Sequence, residues 1–273
     1  MIPATFEYAR PEGLAEALAL LADQGEEAKV LAGGHSLLPL MKLRFATPPL
    51  LVDIGRLGEL AHVTVGDGEV VIGALTRHHD LARDPLVAER LPLLALAASR
   101  VGDPQVRHRG TIGGSAAHGD PASDLPAVLL ALGASFVLAS ALGERVVPAA
   151  SFFEGFLETS LRPDELLTEI HVPDQISGFG FEKFTRRAQD WAIVGVAVGE
   201  SAAGLGVALV NMGQTPLRAS ATEAALAAGA SAEEAAALAD EGTSPISDLN
   251  ASEEYRRHLA RVLTRRALEA AGR

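Results

Sequence analysis

Apolar positions change their spacing several times along this chain, and each change marks an element. Over residues 11–22, Leu14, Ala17, Leu18 and Leu21 follow three-, four- and seven-residue intervals, the stripe of a helix opened by Pro11. Short runs at 6–8, 29–31 and 50–54 predict strands, with a helical turn or two at 37–43. Together they predict a compact β-α-β unit with its glycines after the second strand. Residues 62–72 alternate around Gly66-Asp67-Gly68, a hairpin signal. Thr76 is placed to cap a short helix, HHDLARD. His78 and His79 are neighbours there and cannot converge on one ion, so they are expected as solvated helix residues. Residues 86–99 predict one apolar helix and 124–132 another, with a second hairpin at 135–138 and 145–148.

Farther along, residues 151–156 predict a turn with buried Phe, and 163–173 end in a strand. Residues 174–180, DQISGFG, are the best linker candidate. Strands near 181–186, 192–199 and 205–211 then precede Ala-rich helices near 217–229 and 231–240. An amphipathic helix closes the chain over 252–270, with Glu253 and Glu254 at its start and Arg261, Arg265 and Arg266 toward its end, as the helix dipole favours. The order β-β-β-α-α-α predicts a small separate α+β domain. No repeat of solenoid length interrupts the pattern.

Composition narrows the functions open to such a chain. Its 273 residues suffice for about two domains, and 48% hydrophobic content makes it globular. The formal charge of −12 argues against nonspecific nucleic-acid binding, which needs cations to neutralise phosphates. It leaves room for a small phosphorylated ligand held by backbone N–H groups. Cysteine is absent, so thiolate metal sites, iron–sulfur ligation and cysteinyl catalysis fall away, and a cytoplasmic location is expected. The first residues lack a basic n-region and a cleavage site, and no apolar run approaches the length of a membrane span.

Candidate chemistry gathers in two glycine stretches. Residues 109–126, RGTIGGSAAHGDPASDLP, carry Gly113-Gly114 beside Thr111 and Ser115, and read as a small-residue loop feeding a helix. Asp124, just before Leu125-Pro126, is placed to cap that helix. Upstream, Ala32-Gly33-Gly34-His35-Ser36 repeats the theme. Neither stretch is a dinucleotide or P-loop fingerprint. Ser115, His118 and Asp120 or Asp124 are close in sequence, yet GGSAA is not a nucleophile elbow and triad members come from distant segments. His118 and Asp120 lack a third metal ligand of convincing spacing. Paired tight turns needing glycine for geometry alone remain an alternative. Two similar loops favour a shared anionic ligand. Arg100, Arg107, His108 and Arg109 lead into the second and are candidates to face phosphate or interface carboxylates, as well as plain solvated residues.

The ordered motifs AGGHSLLPLMKLR (32–44) and TIGGSAAHGDPASDLPAVLLALGA (111–134), the opening F-x-Y-x-R-P, the middle FEKFTRRAQDWAIVGVAV and the late MGQTPLRA resemble the FAD-binding medium subunit of molybdenum hydroxylases. That family includes the flavoprotein subunit of aerobic carbon monoxide dehydrogenase and the flavin domain of xanthine dehydrogenase. The resemblance spans nearly the whole chain. It implies an α+β protein: a two-subdomain FAD-binding fold of the vanillyl-alcohol-oxidase (PCMH) type over 1–54 and 55–175, then a small α+β domain over 176–273. It also implies noncovalent FAD, held by Leu31, Ala32, Gly33, Gly34, His35, Ser36 and Leu37 on one side. Val101, Thr111, Ile112, Gly113, Gly114, Ser115 and His118 hold it on the other. Asp124, Leu167, Lys183 and Trp191 match FAD-contacting positions, Lys183 and Trp191 beside the flavin ring. Where some relatives carry Gln, this chain has His35. No catalytic acid, base or metal ligand is implied within the chain.

The implied activity is electron transfer inside an oxidoreductase complex. A large subunit would hold a molybdenum–pterin cofactor and a small one two [2Fe–2S] clusters, in a dimer of heterotrimers. The lack of Cys fits that division and disfavours the relatives that insert a [4Fe–4S] cluster into this subunit. A free-standing FAD-dependent oxidoreductase and a non-redox scaffold that keeps the fold are the alternatives.

Overall fold

The computed structural model describes residues 2–273. The chain opens with β1 (Glu7–Ala9), α1 (Leu14–Gln24), β2 (Ala28–Leu31), α2 (Leu37–Leu43) and β3 (Leu50–Asp53). The strands form a parallel sheet in the order β1-β3-β2, with Glu7 opposite Leu50 and Val30 opposite Val52. α1 buries Ala17, Leu18 and Leu21 against it, the face its spacing predicts. Parallel strands require crossovers, and here α1 and α2 supply them.

The next elements are β4 (Val63–Gly66), β5 (Glu69–Gly73), α3 (His78–Leu81), α4 (Pro85–Arg90), α5 (Pro92–Ser99), α6 (Pro104–Arg109), α7 (Ile112–His118) and α8 (Asp124–Ala131). They are followed by β6 (Ser135–Ser140), β7 (Gly143–Pro148), β8 (Phe153–Gly155), β9 (Glu158–Thr159) and β10 (Leu166–Pro173). An antiparallel sheet runs β4-β5-β10-β6-β7. Asp67 and Gly68 both take positive φ, 52° and 79°, the turn that the first hairpin signal demands. Behind the sheet lies the main core, where Phe136 and Phe152 sit 4.3 Å apart. α8 is buried along its whole length, as its unbroken apolar run requires.

The third unit comprises β11 (Gln175–Phe184), β12 (Val194–Ser201), β13 (Gly204–Val210), β14 (Leu217–Arg218), α9 (Ser220–Ala227), α10 (Ala232–Ala236) and α11 (Glu253–Ala270). Its antiparallel sheet, β11-β12-β13-β14, lies between α11 on one side and α8 on the other. β12 is therefore buried on both faces. α8 packs on β12 and β13 while belonging to the preceding unit, so it ties the two together.

Several expectations need correction. Residues 174–180 are not a linker: β11 begins at Gln175 and pairs with β12 from its first residue. The single helix over 86–99 is two, because Pro92 lacks the N–H and biases Leu91 out of the helix. Thr76 does not cap α3; its hydroxyl donates to the His62 carbonyl, and Arg77 holds the cap position. Of the two Phe at 152 and 156, Phe152 is buried and Phe156 is exposed at the β8–β9 turn. The basic lead-in contains a helix of its own, α6, started by Asp103 and Pro104.

Candidate FAD-binding site

The two glycine stretches meet. A Cβ on Gly33 would lie 2.2 Å from the Arg109 carbonyl oxygen and 3.0 Å from Gly110 Cα, so only glycine permits this approach of backbone to backbone. Gly34 then turns the chain at φ 78° into α2. Among the described residues, the backbone N–H groups of Gly33, Gly34, His35 and Ser36 have no protein acceptor. Successive free N–H groups around a left-handed residue make an anion-binding concavity.

The second stretch is built differently from its expectation. Gly113 and Gly114 are not in a loop but in the first turn of α7, capped by Thr111, whose Oγ1 accepts from Gly114 N at 3.1 Å. Ile112 N donates to the Thr76 carbonyl and Gly113 N to Ala74, fastening α7 across the end of β5. Gly113 is required because a Cβ there would stand 2.4 Å from that of Ala74. The amide donors of this stretch are thus largely committed within the protein. The half-buried Ser115 is the hydroxyl that remains beside them, and the free donors come from residues 33–36.

Asp124 is the first residue of α8, not its cap, which is Ser123. Lys183, on β11, reaches across to it: Nζ donates to Asp124 Oδ2 at 2.6 Å, with both side chains nearly buried. Nζ also donates to the Arg100 carbonyl at 3.3 Å, and Arg100 in turn donates to the Phe181 carbonyl on β11. Burial pushes the Asp124 carboxyl above its usual range, while Lys183 and Arg100 pull it back. Its Oδ1 is buried without a partner.

Histidines frame the cradle. His35 is exposed on the first loop. His78, expected as solvated, is 5% exposed and packs under Gly110, where a Cβ would meet its ring at 2.7 Å. Burial, with the charges of His35 and Arg107, lowers its pKa to about 4. His118, at the C-terminal end of α7, is lowered by burial and by Lys29 of β2, against Asp120. Leu31, Ala32 and Leu37 flank the first loop half-buried, as does Val101 the start of α6. Leu167 is different: its side chain belongs to the core of the five-stranded sheet. Trp191 is 61% exposed in the β11–β12 connection and has no part in any core.

Residues 4–175 match the FAD binding domain in molybdopterin dehydrogenase, and residues 179–271 the CO dehydrogenase flavoprotein C-terminal domain. The chain belongs to the FAD-binding medium subunits of the molybdenum hydroxylases. It is 45% identical to the carbon monoxide dehydrogenase medium chain of Hydrogenophaga pseudoflava, covering 99% of this chain and 98% of that one. A solved carbon monoxide dehydrogenase from the same organism superposes with a TM-score of 0.95 at 46% identity, covering 100% of this chain and 99% of that chain. Quinoline 2-oxidoreductase from Pseudomonas putida 86 gives 0.93 at 34% identity, covering 100% and 99%. The family makes FAD the cofactor and the chain a flavoprotein oxidoreductase subunit, on the mixed α and β fold described above. The residues present suit that cofactor. Free N–H groups in an acidic protein fit a diphosphate, and the glycine approach leaves them unobstructed. No described helix is long and apolar enough to cross a membrane.

Proposed function

We propose that this chain is the electron-transfer flavoprotein of a cytoplasmic molybdenum hydroxylase complex. It would receive electrons from the [2Fe–2S] clusters of a small subunit and deliver them to an external acceptor, while a large subunit with a molybdenum–pterin cofactor oxidises the substrate, the whole forming a dimer of heterotrimers. The observation that carries the reading is the row of acceptor-free N–H groups from Gly33 to Ser36 seated on the Arg109 carbonyl. FAD supplies the redox chemistry; the protein binds, orients and shields it.

The residues divide that work. Gly33, Gly34, His35 and Ser36 hold the diphosphate through backbone N–H groups, with the Ser115 hydroxyl opposite. Thr111, Ile112, Gly113 and Gly114 fix α7 so that this hydroxyl stands in place. Leu31, Ala32, Leu37 and Val101 supply apolar walls, and Leu167 contributes through its main chain, its side chain being in the core. Asp124 and Lys183 face the flavin ring. His118 closes the far side, and exposed Trp191 covers the ring from the β11–β12 connection. The residues divide as 1–54 and 55–175 around FAD, with 176–273 carrying Lys183 to it.

The test is direct. The purified chain should be yellow, release intact FAD on denaturation, and rebind it after deflavination. A colourless chain indifferent to added FAD would sink the proposal.

A further inference from the structure

Behind Trp191, the β11–β12 connection is held by groups that cofactor binding leaves unused. The chain leaves β11 at Phe184 and returns at Ile193, whose N–H donates to the Phe184 carbonyl at 2.8 Å. At the tip, Arg187 pairs with Asp190. At the base, Asn211, the residue after β13, donates from Nδ2 to the Ala192 carbonyl at 2.8 Å and to the Ile193 carbonyl at 3.4 Å. Carbonyl oxygens only accept, so the amide nitrogen must be the atom that faces them. The Ile193 carbonyl has a second donor, Arg256 of α11. Among the described residues, the Ala192 carbonyl depends on Asn211 alone. Ala192 and Ile193 are buried, whereas Trp191 is exposed, so the hold ends one residue short of the indole.

Asn211 is itself fixed. Its φ is 62°, a left-handed conformation that Asn tolerates better than most residues with a side chain. Its N–H donates to the Pro121 carbonyl at 2.8 Å. Asp120 shapes the turn that presents this carbonyl, accepting from Ala122 N on its side chain and from Ser123 N on its main chain. Met212, next in the chain, is fully buried in the core under α11. Pro121 lies just before Ser123 and Asp124, and Lys183, just before the connection, is bonded to Asp124. Asn211 therefore ties the Trp191 connection to the same start of α8 that the Lys183–Asp124 pair occupies.

We infer that Asn211 is a positioning residue: through the Ala192 carbonyl it sets Trp191 against the flavin ring and so limits which acceptors reach reduced FAD. This rests on the reading above that Trp191 covers the ring. Neither glycine nor aspartate does both jobs. Glycine takes the left-handed backbone freely but has no amide, and an aspartate carboxylate would set an acceptor against two acceptors. A planar acceptor must stack on open ring, whereas dioxygen needs little room. One neutral hydrogen bond corresponds to about a fivefold shift between the held and released connection.

The test uses the FAD-loaded chain, reduced with dithionite and reoxidised in stopped flow by menadione or by dioxygen. Trp191 is the only tryptophan in the sequence, so its emission reports this connection alone. Asn211→Gly keeps the left-handed backbone and removes the amide. It should lower the fluorescence anisotropy of Trp191 in the FAD-free chain and weaken the quenching of Trp191 by bound FAD. Menadione reoxidation should quicken about fivefold, and dioxygen reoxidation less. Asn211→Asp, which keeps the shape of the side chain, should give the same changes and serves where the glycine variant folds poorly. In a Trp191→Ala background, adding Asn211→Gly should change the menadione rate no further, because the amide acts through the indole. Anisotropy and menadione rates equal to wild type overturn the inference and leave the flavoprotein reading standing. So does a rate change of the same size with and without Trp191. A wild-type chain that binds FAD while its Trp191 emission ignores it removes Trp191 from the ring and the inference with it. A colourless chain fails earlier, at the flavoprotein reading itself.

Discussion

Replacing Gly33 with alanine isolates the cradle from the rest of the fold. The new Cβ would stand 2.2 Å from the Arg109 carbonyl oxygen and 2.9 Å from its carbon, both main-chain atoms with no rotamer to turn away. Ordinary contact needs well over 3 Å, so residues 32–36 must part from residues 109–110 by about 1 Å. Inserting one methyl group into a packed site costs about 1–3 kcal/mol. The first loop gives way more easily, because its N–H groups hold no protein acceptor, whereas α7 is fastened to Thr76 and Ala74. The strain therefore falls on the diphosphate donors. At 1.4 kcal/mol per factor of ten, the FAD dissociation constant should rise about five- to 150-fold. Fluorescence titration of the deflavinated chain with FAD measures it, and a thermal melt checks the fold. Riboflavin, which has no phosphates, provides the internal control and should lose much less affinity. Unchanged FAD binding, or equal losses for FAD and riboflavin, would refute the assignment of residues 33–36 to the diphosphate.

Three further outcomes are expected. His78 titrates near 4 in the folded chain and near 6.5 when unfolded, so its contribution is complete above pH 6.5 and is lost as pH falls toward 4. By pH 5 the loss is about 2 kcal/mol; urea denaturation should show His78→Gln spared that loss between pH 7.5 and 5, and equal losses in both proteins would exclude it. Lys183→Met leaves a buried carboxyl unpaired and should cost about 3–5 kcal/mol at pH 8. The cost should shrink as pH falls, because burial already raises the Asp124 carboxyl and a protonated carboxyl needs no cation, and Asp124→Asn on top should recover much of it in the same denaturation assay. Thr111→Val removes the acceptor for Gly114 N and should lower stability by about 1 kcal/mol, read as a melting point a few degrees lower.

Periodic elements are legible in the sequence: α1, α8 and α11, the β4–β5 hairpin and the β12–β13 pair all follow spacing or turn chemistry visible in the residues. Errors came where tertiary contacts outvote local signals. Asp174 to Gly180 looks like a linker because Gly178 and Gly180 lower strand propensity, yet those glycines let β11 lie against the α11 backbone, where a Cβ would come within 2.2 Å and 2.0 Å of carbonyl oxygens. Gly113-Gly114 look like a loop for a similar reason, although Gly113 serves the approach of α7 to Ala74. His78 gave no sign of burial, since its neighbour Gly110 lies over 30 residues away along the chain. The glycine stretches and Ser115 could be singled out from composition alone. Asp124 stood out only as a helix cap, and its proposed place beside the flavin, like those of Lys183 and Trp191, came from the family resemblance alone.

Two ion pairs in this chain show why Asp124 is unlike a structural carboxylate. Glu165 is as little exposed as Asp124 but lies less deep, and Arg145 Nε donates to its Oε1 while Arg145 Nη2 and Arg162 N donate to its Oε2. Although burial opposes it, that set of donors holds the Glu165 carboxyl below its usual range. Asp124 receives one donor, Lys183, on one oxygen, and burial wins: its carboxyl is pushed up. A fully satisfied pair is compatible with a purely structural role, whereas a half-satisfied one is a poor source of stability. The fold nevertheless brings Lys183 from β11 to the first turn of α8, and a strap from Arg100 to Phe181 holds β11 beside it. What the arrangement lacks is one more donor at Oδ1, and a flavin ring carries an N–H. On the proposed reading, the shortage at Asp124 and the surplus of N–H groups at Gly33 to Ser36 would be complementary halves of one demand, a donor at one end of the ligand and two phosphates at the other.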